Sequence, residues 1–283
     1  MLILSLILGL PPLTPKIDFK DRFERASALV ATLTGPVDLR SGKTLIRTLK
    51  PGDDEGFPLL AEETLEPHPG NSIVIMEGRR GVIQRFARKG TVPSLTLYAA
   101  VTPLNMTAGA ARMGTASFQL PFPGDMIDPG TIELTWLADV KAKGALDVSD
   151  VSRKNPDRRF SIPTLADGKL KAESSAALRA LLLDWSKSIK RVRFELQSAD
   201  GNLDRVEVQL VPFSAQSNLN LIRSAWQTKR FAPYKLLSSL GLALELRQQG
   251  LRTAAYQALG IPKPKAHEPD PIVWLRKNLE TGK

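Results

Sequence analysis

Between residues 29 and 86, short apolar runs alternate with clusters of turn-forming residues. Glycine, proline, asparagine or aspartate separates the runs, which lie at 30–39, 45–49, 59–65, 72–77 and 82–86. Strands of a β-sandwich or β-barrel follow one another at this spacing. The run SIVIME at 72–77 has the strongest strand character, because β-branched residues pack well in sheets. We therefore predict a succession of β-strands over this stretch.

The period of the apolar positions changes beyond residue 172. Apolar residues recur at intervals of three and four positions between 173 and 189, which predicts a helix. Residues 192–197 and 206–211 then alternate on either side of the turn 199–202. Two alternating runs around a short turn of this composition are typical of a β-hairpin. A helix inserted into a second β region is the expected arrangement.

The C-terminal part of the chain has a helical pattern. Leu237, Leu240 and Leu244 form one apolar stripe, Gly250 suits a helix C-cap, and 252–259 continues as a short second helix. This helix–glycine–helix order resembles one tetratricopeptide-like hairpin. One hairpin is too short for a solenoid, so the resemblance implies a cap on the β region or a docking site for a partner.

The strands between residues 28 and 88 carry an ordered set of short motifs. They are Gly35 and Val37, LKPGD at 49–53, Thr64-Leu65, PGNS at 69–72 before IVIM, and Glu77-Gly78. This order resembles the FecR-type β domain, an extracytoplasmic module of bacterial regulators and of many periplasmic or surface proteins. The resemblance implies an extracytoplasmic β domain. The sequence departs from the family pattern in the segment FPLLAEE after LKPGD, and in Arg79-Arg80-Gly81 where a neutral polar turn is usual.

A second β region is expected after residue 116. Pro129 and Gly130 precede the alternating run TIELTWL at 131–137, in which Trp136 lies on the apolar face. This beginning resembles an Ig-like β-sandwich domain. We expect Trp136 in the core; carbohydrate stacking is its alternative role.

The predicted fold class is therefore mainly β with α. It consists of a FecR-like β domain, a β-sandwich-like domain with an inserted helix, and a C-terminal helical hairpin. The expected boundaries are 16–112 for the FecR-like domain, 116–214 for the Ig-like domain with its helix at 173–189, and 218–283 for the hairpin and tail. Residues 1–15 are set apart as a possible signal peptide.

The first ten residues, MLILSLILGL, form a nearly unbroken apolar run. The run is too short to span a bilayer and suits the apolar segment of a signal peptide. No basic residue precedes it and no Ala-x-Ala site follows it, so a buried N-terminal strand is the alternative. We expect export to the periplasm or the exterior, with the cytoplasm as the alternative, and no transmembrane anchor beyond this segment.

Cysteine is absent, and the histidines are only His68 and His267. The composition excludes disulfides, thiolate chemistry and cysteine-bound metal or iron–sulfur sites. Two histidines far apart in the chain do not favour a histidine-rich metal site or a Ser-His-Asp triad. We therefore expect no catalytic residue, no metal site and no cofactor.

The net charge is +10 and the isoelectric point is about 9.9. Such a charge attracts nucleic acid, an anionic membrane surface or an acidic wall polymer, although scattered basic residues also form an ordinary solvated surface. The basic turn before β-strand 82–86 is unusual, because a neutral turn would serve. Arg79, Arg80 and Arg85 are therefore the candidate ligand-binding residues.

The acidic residues near the second turn suggest structure and not catalysis. These residues are Asp53, Asp54, Glu55, Glu62 and Glu63. Their neighbours in the sequence are turn residues, and nothing pairs with them to tune acid–base chemistry. We expect turn and surface positions for all five, with Asp53 capping the turn.

The leading hypothesis is a non-enzymatic, exported envelope protein that serves as a binding or scaffold module. Its expected partner is another envelope protein or an anionic wall polymer; nucleic acid is not expected. One alternative is a wall-active hydrolase, which requires two carboxylates with opposed environments in a deep cleft. The other is a basic nucleic-acid-binding protein, which requires the basic residues to converge on one groove.

Overall fold

The structure is a computed structural model of the full chain. It describes residues 17–77, 82–94, 118–136, 142–151, 159–163, 170–198, 203–228, 231, 233–260 and 268–281. The chain divides into two compact units. The first unit consists of Met1–Ala99 with His267–Pro271, and the second of Ala100–Ala266 with Ile272–Lys283.

The first unit has one short helix followed by strands. They are α1 (Phe19–Arg25), β1 (Ala26–Leu33), β2 (Val37–Ser41), β3 (Thr44–Leu49), β4 (Pro58–Leu60), β5 (Thr64–Pro67), β6 (Ile73–Glu77), β7 (Val82–Phe86) and β8 (Gly90–Thr91). Two four-stranded antiparallel sheets result, with the strand orders β4-β1-β6-β7 and β3-β2-β5-β8. The expected strand SIVIME is β6, which pairs with both β1 and β7.

Alternation places one set of side chains from both sheets in a shared core. Val30 and Ile75 come from the first sheet, Leu39 and Leu65 come from the second, and all four are fully buried. Phe57 completes the cluster from the turn before β4. The alternating pattern of the sequence therefore becomes the inner face of two packed sheets.

The second unit combines strands with longer helices. They are β9 (Phe118–Leu120), β10 (Met126–Ile127), β11 (Thr135–Trp136), β12 (Ala142–Asp150), β13 (Arg159–Pro163), α2 (Ala172–Trp185), β14 (Arg191–Ser198), β15 (Leu203–Leu210), α3 (Gln216–Trp226), α4 (Lys235–Gln248), α5 (Arg252–Ala258) and α6 (Asp270–Thr281). A five-stranded sheet has the order β10-β15-β14-β12-β13, and β9 pairs with β11. Pairing is antiparallel except between β10 and β15.

Helix α2 packs in the core cluster of the five-stranded sheet. Leu178, Leu182 and Trp185 of this helix are buried with Phe194 and Val208 of the sheet. The expected helix at 173–189 is thus α2, which ends earlier, at Trp185, because residues 186–188 form a turn. Ile189 still lies in the core, which explains why the apolar pattern continued beyond the helix.

Trp136 lies in the core of the second unit, as expected. Its side chain is 2 % exposed and packs in the cluster formed by the sheet and α2. A stacking role on an exposed saccharide is therefore excluded for this side chain. The expected hairpin is also present, as β14 and β15, with Phe194 opposite Val206.

Helices α3, α4 and α5, and α6 from Ile272 onwards, belong to the second unit, whereas the sequence set residues 218–283 apart. Buried polar contacts join them to the segment around β10. The Asp125 carboxylate accepts a hydrogen bond from the Thr253 N–H at the start of α5, and the Phe122 N–H donates to the Thr253 hydroxyl over 3.1 Å. Asp128 forms a buried ion pair with Arg223 of α3. The helical region is therefore held to the sheet by specific hydrogen bonds.

The prediction of a mainly β fold with α is confirmed, since the described residues form several mainly antiparallel sheets and six helices. The resemblance of the first unit to the FecR-type domain stays a prediction. Among the described residues, no helix is both long and apolar enough to cross a membrane. The possible signal peptide at 1–15 and the expected domain boundary near 112–116 lie outside the described residues.

Candidate ligand-binding site

The basic turn singled out by the sequence, residues 78–81 with Arg79 and Arg80, lies outside the described residues, so Arg85 is the one candidate residue that the structure describes. Arg85 lies on β7 and is exposed, and its Nε and Nη2 atoms donate to the Ser72 hydroxyl over 3.3 and 3.1 Å. The described part of the Arg85 environment is thus a structural contact between β7 and the segment before β6.

The expectation that all five acidic residues occupy surface positions was wrong for Asp54 and Glu63. Their residue exposures are 1 % and 5 %. Each carboxylate pairs with an arginine, Asp54 with Arg47 at 2.8 Å and Glu63 with Arg22 at 2.7 Å. These are internal ion pairs, which the sequence could not reveal because it does not show which arginine faces which carboxylate.

The backbone also binds these two carboxylates. The Lys50 N–H donates to Asp54 over 2.8 Å, and the Leu60 N–H donates to Glu63 over 2.8 Å. Asp54, the neighbour of Asp53, therefore makes the capping bond that was expected of Asp53. Burial raises the pKa of the Asp54 carboxyl, while the hydrogen bond from Lys50 and the charge of Arg47 act in the opposite direction.

Glu77 at the end of β6 has a different environment. The residue is 2 % exposed, and among the described residues its Oε1 atom has no hydrogen-bond partner. Burial raises the pKa of this carboxyl, since desolvation disfavours the charged form. The ionised form of Glu77 therefore lowers the stability of the first unit at pH values above the pKa of this carboxyl.

The buried carboxylates of the second unit are structural as well. Asp125 binds the first turn of α5, and burial raises the pKa of its carboxyl against the opposing hydrogen bonds from Thr253. Asp128 accepts from the Gly130 N–H over 2.9 Å and from the Thr131 hydroxyl over 3.1 Å, besides its pair with Arg223. These two carboxylates are used in organising the loop and the helices.

A cleft of about 600 Å³ lies among the helices of the second unit. It is formed by the end of α3, the first half of α4 and the end of α5. The lining residues are Trp226, Gln227, Thr228, Phe231, Lys235, Ser238, Ser239, Leu242 and Ala258. Its size is that of small-molecule sites, which occupy roughly 300–1,000 Å³. The described lining residues include the cation Lys235, several hydroxyls and apolar side chains, and none of them is a carboxylate or a histidine.

Trp226 forms a fixed wall of this cleft. Its Nε1 atom donates to the Glu245 carboxylate over 2.6 Å, and its ring stacks on Phe231 with centroids 5.4 Å apart. The Ser238 hydroxyl donates to the Trp226 carbonyl. Gly241 leaves the space for the indole, because a Cβ at this position would lie 2.2 Å from the ring. Glu245 of α4 and Phe231 of the connecting segment thus hold the indole, and Ser238 of α4 holds the backbone of the same residue.

A carboxylate hydrolase needs two carboxyl groups on either side of the bond to be broken. Among the described residues that line this cleft, none is a carboxylate. Within the described residues, no group of three or more histidine, aspartate or glutamate side chains could hold a metal ion. The sequence reasoning missed this cleft, because its residues come from three helices and carry no motif.

The positive charge is unequally divided between the two units. The first unit has 13 basic and 13 acidic residues, so its net charge is zero. The second unit has 26 basic and 16 acidic residues, which gives it the whole net charge of +10. The candidate site of the sequence, Arg79 with Arg80 and Arg85, therefore lies on the unit without excess charge.

Comparison with known proteins identifies no family for this chain. No family model matches the sequence, and no curated protein matches it. Among solved structures, one match is the Bacteroides ovatus mixed-linkage glucan utilization locus protein SGBP-B in complex with a mixed-linkage heptasaccharide. Its sequence is 16% identical to this chain, and the two structures superimpose with a TM-score of 0.11. The match covers 62% of this chain and 37% of that chain. A TM-score this low does not indicate a shared fold, so the similarity supports no inference about function.

Proposed function

We propose that this chain is a non-enzymatic, exported binding protein whose second unit binds an anionic polymer of the cell envelope. The division of charge carries the proposal. A net charge of +10 on one unit attracts a polyanion from a distance and favours its retention at low salt. The neutral first unit, with its resemblance to an extracytoplasmic module, then serves as a scaffold.

The arrangement of the acidic residues supports a binding role over catalysis. Asp54, Glu63, Asp125 and Asp128 are buried and bound to arginine side chains or backbone N–H groups. Carboxylates that are enclosed in this way and bound to partners inside the fold do not face a substrate as general acids or bases. In the part of the chain that the structure describes, the lining of the second unit's cleft likewise includes no carboxylate.

Two matched triple variants of the full chain test the charge argument. Lys171, Lys190 and Lys277 are exposed residues of the second unit, and their replacement by glutamine removes three charges. Lys20, Lys43 and Lys50 are exposed residues of the first unit and give the control. Binding to poly-L-glutamate and to poly(glycerol phosphate) is measured over a range of salt concentrations.

We expect salt-dependent binding that the second-unit variant weakens and the control variant leaves nearly unchanged. Each lost contact lowers the slope of log K against log salt by roughly one, as for other polyelectrolytes. Equal weakening by both variants, or binding that ignores salt, contradicts the proposal. Tighter binding to double-stranded DNA than to both polymers favours the nucleic-acid alternative.

Export is tested separately by fractionating cells that express the full-length chain. N-terminal sequencing of the recovered protein is expected to begin after the apolar run at 1–10, in the envelope fraction. An intact Met1 in the cytoplasm would remove both the export proposal and the envelope polymer as partner.

A further inference from the structure

The cleft defined by Trp226, Lys235, Ser239, Leu242 and the other lining residues has the features of a preformed small-molecule site. Its Trp226 wall is fully buried and held by hydrogen bonds, ring stacking and close packing. A cleft with a fixed wall binds without first ordering its own side chains, which lowers the entropic cost of binding. A glycine inside a helix costs about 1 kcal/mol relative to alanine, so the presence of Gly241 has a packing reason, the indole.

The polar groups of the cleft favour an anion. Lys235 is exposed at the first position of α4, and within the described part of the chain it forms no ion pair. Ser239, one turn further along α4, is half-buried and makes no side-chain hydrogen bond to another described residue. Thr228 adds an exposed hydroxyl. An ammonium group with nearby hydroxyl donors suits a carboxylate, and none of the described lining residues is a carboxylate that would repel it.

The remaining surface of the cleft is apolar. Leu242 and Ala258 are partly buried and face the same cleft as the polar groups. An aliphatic or aromatic body next to these side chains removes apolar surface from water on both partners. Small-molecule sites typically combine such an apolar lining with a few polar groups that orient the ligand.

We propose that this cleft binds a small amphipathic organic anion, with its carboxylate at Lys235 and its apolar body against Leu242 and Ala258. The site is independent of the polymer-binding surface, because it depends on one lysine in a cleft and not on the summed charge of the unit. Either proposal can therefore fail without the other.

Calorimetric titration of the full-length protein with octanoate tests the site. Acetate lacks the apolar body and octylammonium reverses the charge, so both serve as ligand controls. Lys235→Gln removes the proposed carboxylate partner, and Lys171→Gln removes the same charge from an exposed position elsewhere in the second unit. Ser239→Phe fills the cleft while retaining Lys235.

We expect one octanoate per chain, and weak or undetectable binding of acetate and octylammonium. Lys235→Gln is expected to weaken octanoate binding about tenfold, the effect of losing one charge-assisted hydrogen bond. Lys171→Gln is expected to change it by less than about twofold, because exposed charges farther away are screened. Ser239→Phe abolishes binding.

Three results overturn the proposal. Octanoate fails to bind at millimolar concentration to protein that circular dichroism shows to be folded. Alternatively, Lys235→Gln binds octanoate as well as the original chain does, or Lys171→Gln weakens binding as much as Lys235→Gln. The last result would assign the attraction to general charge and not to the cleft.

Discussion

Replacing Gly241 by alanine tests whether the Trp226 wall is as closely packed as the structure indicates. The added Cβ would lie 2.2, 2.3 and 2.5 Å from three atoms of the indole six-membered ring. Favourable carbon–carbon contacts lie at about 3.5–4.0 Å, so helix α4 or the indole must move by more than an ångström. The indole cannot move freely, because Glu245 and Phe231 hold it on other sides.

Two opposing effects decide the magnitude for Gly241→Ala. Overpacking a core costs typically about 1–3 kcal/mol and occasionally more. Alanine in a helix interior recovers about 1 kcal/mol relative to glycine. The size of the overlap places the packing cost at or above the upper end of its range, so we expect a net loss of about 2 kcal/mol. That corresponds to roughly 4–8 °C in melting temperature for a domain of this size.

Differential scanning calorimetry is the suitable assay, because it separates the transitions of units that unfold independently. Gly130→Ala is the matched control in the same unit. A Cβ at Gly130 would lie 3.5 Å from its nearest atom, which is an ordinary van der Waals contact. The alanine also lowers the conformational entropy of the unfolded chain, which favours the folded state. The control is expected to melt at the same temperature as the original chain or slightly above it.

A double-mutant cycle identifies the indole as the cause. Trp226→Phe removes the ring atoms that the new Cβ would meet, so Gly241→Ala should cost clearly less in that background. The reasoning is refuted if Gly241→Ala melts with the original chain. It is also refuted if the cost is the same with and without the indole.

Three further predictions concern the buried carboxylates. Glu63→Gln leaves the charge of Arg22 buried without its partner and should lower the free energy of unfolding, measured in urea, by about 3–5 kcal/mol. The control Asp21→Asn, in the exposed pair with Arg25, should lower it by less than about 1 kcal/mol. Equal losses would contradict this prediction. Glu77→Gln should raise the free energy of unfolding at pH 8 and leave it nearly unchanged at pH 4. Because the folded protein raises the pKa of Glu77, its protonated form is compatible with the fold, and stability is lost as pH rises through that pKa and the carboxyl ionises. A gain in stability only at low pH would contradict this reasoning. Asp125→Ala should cost about 1–2 kcal/mol and speed hydrogen exchange of the first amides of α5, and unchanged exchange would show that the cap is dispensable.

Local periodicity was sufficient to predict the elements that depend on neighbouring residues. β6, the β14–β15 hairpin and α4 lie where alternation or helical spacing placed them. Gly250 ends α4 with a φ of 77°, in the left-handed region that favours glycine. Strand and helix patterns repeat over a few residues, so the sequence alone contains the information for them.

The ion pairs around the buried carboxylates join residues that are far apart in the sequence. Glu63 pairs with Arg22, 41 positions earlier, and Asp128 pairs with Arg223, 95 positions later. The sequence around such a carboxylate is typical of an exposed turn, so it predicts a surface position, whereas tertiary contacts bury the side chain. Desolvation and its compensation by a specific partner depend on the packed structure.

The sequence by itself determined the strand and helix pattern, the mainly β class with α, the core position of Trp136 and the total charge of +10. Only the tertiary structure assigned that charge to the second unit and assembled the cleft beside Trp226 from three helices. The physical reason is that periodicity is a property of adjacent residues. A site is formed by side chains that packing brings together from distant positions.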